Sequence, residues 1–109
     1  MNLHSLTKLK VKMKNYKIIF LPETLEDMAT AIKWYEKQQK GLGNRLVSDV
    51  RLSILTIKQN PFIGSVKYKE IRTISCAKFP YSIHYSIDEL KRVIIITSIF
   101  HLYRKPFWE

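Results

Sequence analysis

The chain has 109 residues, 46% of them apolar, and a formal net charge of +10 at neutral pH. That length suits one compact core and leaves little room for a second, and a single cysteine, Cys76, excludes an internal disulfide or a cysteine zinc cluster. No stretch is apolar enough to span a membrane and no signal-like run follows the early lysines; the charge predicts an anionic partner, and the lone cysteine fits a reducing cytoplasm.

The first segment, "TKLKVKMKNYK", holds Lys8, Lys10, Lys12, Lys14 and Lys17 with no acid among them. Met13 opens "MKNYKIIF", which has the form of a natural start, so residues 1–13 are expected to be a basic extension, a flexible arm or an overextended reading frame. Residues 14–109 are expected to form one domain. Removing the three lysines at 8, 10 and 12 from +10 still leaves +7, so the domain is basic in its own right.

"YKIIFL" at 16–21 is a β-branched and aromatic run closed by Pro22 and predicts a strand. Thr24 and Asp27 then have capping-box spacing. Leu25, Met28, Ile32 and Tyr35 recur at helical spacing, predicting one packed face. "QQKGLGN" breaks the pattern. A second helix is expected from Leu42 through Leu46, Val50, Ile54 and Ile57, with Arg45, Asp49, Arg51 and Lys58 mostly opposite, ending at Asn60-Pro61. So short a connection predicts an antiparallel hairpin.

Beyond it the period shortens to two. "VKYKEIR", "TISCAKF", "YSIHYSI" and "RVIIITSIF" read as strands, the last two joined by the turn "DELK". Val93–Ile96, apolar without a break, predicts a central strand. The expected order is β-α-α-β-β-β-β: an α+β domain in which the two-helix hairpin packs on one face of an antiparallel-rich sheet that includes the N-terminal strand. Alternation sends Tyr81, Ile83 and Tyr85 to the apolar face and Ser82, His84 and Ser86 to the other.

These pieces carry a resemblance. The β-α-α-β-β-β plan, a helix ending in "NP", an "EIR" strand, the strand-opening "FPYSIHY" and the terminal "FHLYRKPFW" together resemble the RelE/ParE superfamily of toxins from bacterial type II toxin–antitoxin modules, over residues 14–108. Phe79-Pro80-Tyr81 paired with His101, Arg104 and Trp108 is closer to the ParE-type, or plasmid-stabilisation, branch. The resemblance implies a growth-inhibiting toxin that binds DNA gyrase and works without cofactor or metal. It also implies a cognate antitoxin whose acidic or amphipathic segment wraps the toxin in a hetero-oligomer.

Two other functions follow from the same resemblance. One is ribosome-dependent messenger-RNA cleavage without a metal, with His84, His101 and Arg104 as the catalytic groups. Such nucleases carry an arginine directly after the tyrosine that corresponds to Tyr81; this chain has Ser82, and a hydroxyl does not replace a fixed cation beside a phosphate. The other is a non-toxic relative that survives as an antitoxin-binding module. For target binding, the basic and aromatic groups Lys67, Lys69, Arg72, Tyr103, Arg104 and Lys105 are the candidates.

Overall fold

The computed structural model describes residues 15–103. The extension expected over 1–13 and the candidates Arg104, Lys105 and Trp108 lie outside the described residues. The elements are β1 (Lys17–Phe20), α1 (Pro22–Gln38), α2 (Leu42–Gln59), β2 (Ser65–Tyr68), β3 (Ile71–Ser75), β4 (Tyr81–Asp88) and β5 (Val93–His101). They form the expected α+β order, with a five-stranded sheet arranged β1-β5-β4-β3-β2. β1 runs parallel to β5 and the other pairs are antiparallel.

The helical hairpin covers one sheet face. Between them Leu46, Ile57, Ile83, Tyr85, Ile94 and Ile96 are fully buried, each contributing about 1.5–3 kcal/mol relative to exposure. Helix α1 departs from its sequence reading at the start. Pro22 is its first residue, where the missing N–H costs nothing, and no side chain caps it. Thr24 is not a cap; its hydroxyl donates to the Thr97 carbonyl of β5 at 2.9 Å, so the buried stripe begins at Thr24 and leaves Leu25 exposed.

Between the helices Gly41 takes φ 90°, a left-handed turn that a side chain would strain. The Glu36 carboxylate, from the last turns of α1, accepts the backbone N–H groups of Gly41 and Gly43 at 3.0–3.1 Å and so caps α2. Asp49 also departs from expectation: it is buried on the core side of α2, not on the polar side.

In the second half, "VKYKEIR" is not one strand. Lys69 adopts φ 48° and, with Glu70, turns the chain between β2 and β3. No glycine or asparagine marks that turn, so the alternation reads straight through it. Thr73–Ser75, expected to open a new strand, instead end β3, and Cys76 to Pro80 form a loop. β5 has a neighbour on both edges, as expected, although its burial alternates. Its register shifts by one residue opposite His84 and Tyr85, which pair with Ser98 and Ile96, leaving Thr97 as a bulge.

Tyr85 joins the sheet to the segment that leaves α2. Its buried hydroxyl donates to the Pro61 carbonyl at 2.7 Å and accepts the Gly64 N–H at 2.9 Å. A Cβ on Gly64 would lie 2.7 Å from that oxygen, so only glycine fits. Tyr85→Phe should leave both backbone groups without a partner and lower the unfolding free energy by about 1–3 kcal/mol. Urea denaturation checks this, and a loss under about 0.5 kcal/mol would remove the hydroxyl from the account.

Candidate functional site

Because β4 alternates, its buried residues Tyr81, Ile83 and Tyr85 face the helices, and Ser82, His84 and Ser86 face outward. Cross-strand pairing extends the outer row. Thr73 lies opposite His84, and Ser82 lies opposite Phe100. The His84 ring meets Phe100 edge-on at 4.9 Å, and its Nδ1 shares a 3.2 Å hydrogen bond with the Tyr68 hydroxyl. The outer face thus carries an aromatic row, Tyr68–His84–Phe100, drawn from β2, β4 and β5 and passing over β3. Burial, and secondarily the Lys67 ammonium, lower the His84 pKa below its ordinary 6.5. The ring is therefore neutral at physiological pH.

His101 is elsewhere. It pairs with Tyr81 and meets that ring edge-on at 5.1 Å, which places it on the helix-facing side. Its Nδ1 accepts the backbone N–H of Tyr103 at 3.1 Å, while Leu102 N–H donates to Pro80 at 2.7 Å. These bonds fix the exit of β5 and leave Tyr103 83% exposed. His84 and His101, both expected in a catalytic set, are thus on opposite faces of the sheet.

The expected target-binding cations also separate. Lys67 sits at an irregularity in β2, near His84, and Lys69 sits at the turn tip, so the two do not share a strand face. Arg72 faces the helix side beside Tyr85. Its guanidinium donates to the carbonyls of Gly64 at 2.7 Å and Phe62 at 3.3 Å and stacks 5.0 Å from the centre of the Phe62 ring. That side chain braces a loop.

Asp49 is the residue the sequence reading placed on the wrong side. The residue is 3% exposed, and its carboxylate accepts the N–H groups of Lys78 at 3.0 Å and Phe79 at 2.7 Å, which holds the β3–β4 loop against α2. Phe79 then stacks edge-on against Tyr35 at 5.2 Å. A signal existed, since Leu46, Asp49, Ser53 and Ile57 follow core spacing. Cys76, beside this site, has its thiol pKa pushed up by burial, opposed by a hydrogen bond with Ser53 and reinforced by the Asp49 charge, so it is a protonated packing residue. Among the described residues, no group of three His, Cys, Asp or Glu side chains could hold a metal ion, and no helix is long and apolar enough to cross a membrane.

The whole arrangement is similar to solved bacterial toxins. A chain of the chromosomal ParDE toxin–antitoxin system from P. aeruginosa superposes with a TM-score of 0.71 at 15% identity, over 82% of this chain and 98% of that one. The isolated E. coli RelE toxin gives 0.61 at 14% identity, over 85% and 90%. A chain of the intact E. coli RelBE toxin–antitoxin complex gives 0.61 at 15% identity, over 82% and 99%. At such identities the likeness is one of fold. No curated protein matches the chain. Residues 18–105, however, match the family described as the ParE toxin of the type II toxin–antitoxin system, parDE. With the sheet, the hairpin and that match together, the chain belongs to the ParE toxin family of type II toxin–antitoxin systems.

Proposed function

We propose that this toxin arrests bacterial growth by binding a protein, DNA gyrase, and that it does not cut RNA. Metal-free RNA cleavage needs a base for the 2′-hydroxyl, a cation for the phosphate and an acid for the leaving oxygen, all converging on one phosphate. The observation that carries the reading is that His84 and His101 lie on opposite faces of the sheet, so they do not act on one phosphate. Two further features support it. Ser82 stands where the nuclease resemblance expects arginine, and Arg72 is committed to the Phe62 and Gly64 carbonyls. A cognate antitoxin is the second partner, in keeping with the toxin–antitoxin complexes that share the fold.

One arrangement favours RNA cleavage as the second reading. A neutral His84, bonded to Tyr68 and near Lys67, places a base, a hydroxyl and a cation on one open face. Inducing the toxin without an antitoxin and mapping new messenger-RNA 5′ ends within minutes separates the two. Growth arrest with intact messages is expected. Cuts clustered inside translated codons, lost in His84→Ala, would replace the gyrase reading with the nuclease.

The same histidine gives a pH signature. Its folded pKa is depressed, so the unfolded chain binds the proton first, and stability falls as the pH drops below 6.5 and through the folded value. Thermal unfolding of the wild type should lose midpoint relative to His84→Gln between pH 7.5 and pH 5. Parallel curves for the two proteins would show that His84 is not held neutral by the fold.

A further inference from the structure

The outer side of the sheet is nearly free of charge across its centre. A sheet face turned away from the core ordinarily carries polar and charged side chains, and this chain has a net charge of +10 to distribute. Yet β5 presents Val93, Ile95 and Phe100 on that side, fixed outward because Ile94, Ile96 and Ile99 are buried against the helices. β4 beside it presents serines and His84, and β1 on the other flank presents Ile19, 48% exposed and paired with Ile95. Charge enters only at one end of these three strands. Lys17 of β1 and Asp88 of β4 both pair with Val93, one from each side, so they stand level across β5.

We infer that this face packs, sheet on sheet, against the same face of a second copy of the chain. A twofold axis laid along β5, between two sheets about 10 Å apart, sets β5 over β5 of the other copy and β1 over its β4, because β1 and β4 flank β5 on opposite sides. Val93, Ile95 and Phe100 then meet their own counterparts. The same axis brings Lys17 of each copy to Asp88 of the other, so the face is self-complementary in charge as well as in apolar surface. A nucleic-acid backbone or an acidic segment needs cations across the face, and the centre of this one offers none. The surplus of cations elsewhere makes other self-contacts repulsive. The inference does not rest on the toxin reading; it needs only this face.

Sedimentation velocity of the purified full chain is the test, run in about 0.3 M salt so that repulsion between two cationic chains is screened. A dimer that grows with concentration is expected. Ile95→Lys sets two ammonium groups against each other on the axis and should raise the dissociation constant about a hundredfold. Lys17→Asp or Asp88→Lys alone should raise it about tenfold, and the two together should restore it, because the exchanged charges meet across the axis again. That series decides the matter if Ile95→Lys does not fold. Asp88 also accepts the Lys91 N–H at 3.0 Å, so circular dichroism checks that its variant keeps the fold. Leu52→Ala, on the outer side of α2, should change nothing. A monomer at every concentration up to about 0.5 mM, a dimer untouched by a folded Ile95→Lys, or a charge exchange no better than its single variants would overturn the inference. A monomeric chain that loses gyrase inhibition on Ile95→Lys would give the face to the target protein and overturn the second copy.

Discussion

The backbone at Thr97 is held from two directions. The Thr24 hydroxyl of α1 bonds its carbonyl at 2.9 Å, and its own hydroxyl bonds the carbonyl of His84 at 3.2 Å. Together these bonds stabilise a one-residue bulge in β5. The bulge lets Ile94, Ile96 and Ile99 all reach the core although strict alternation would send Ile99 to the other side. Everything downstream inherits that shift. Phe100 turns outward to His84, and His101 turns inward to Tyr81. Without the extra residue the two histidines would share a face, and the chain's chemistry would read differently.

The two faces of the sheet then divide the work. On the helix side, side-chain hydrogen bonds tie loops to helices: the buried Asp49 accepts from the β3–β4 loop, the exposed Glu36 caps α2, and Tyr85 with Arg72 holds the segment after α2. Each satisfies backbone N–H or C=O groups, and at Asp49 and Tyr85 those groups or their partners are buried, where an unpaired one would be costly. The outer face carries hydroxyls, an aromatic row and a neutral histidine. The outer side of α2 carries leucines bordered by cations.

Much of this was legible in the sequence, for definite reasons. The 3.6-residue period of Leu46, Val50, Ile54 and Ile57 and the two-residue period of Tyr81, Ile83 and Tyr85 are local signals, and they place the hairpin, β4 and the outward His84 correctly. Failures came where tertiary contact overrides local pattern. Thr24 has the spacing of a cap, yet a strand carbonyl far along the chain takes its hydroxyl. Asp49 looks like a solvated acid until the loop whose amides it binds is brought to it. The turn at Lys69 has no residue that favours positive φ, and the bulge at Thr97 lies within an unbroken apolar and hydroxyl run. The pairing of His101 with Tyr81 follows from that bulge, so no inspection of the C-terminal motif alone could assign its face.

Family membership rests on a match over residues 18–105 and on a fold shared with ParDE and RelE proteins, and the choice between a protein target and an RNA target rests on the geometry of the sheet. The most direct test is to add the purified chain to DNA gyrase, ATP and relaxed plasmid, and to follow supercoiling and trapped double-strand cleavage together. The account predicts that supercoiling stops and cleaved plasmid accumulates as the chain is titrated. Gyrase running unchanged, while the same preparation cuts messenger RNA on translating ribosomes, would contradict it.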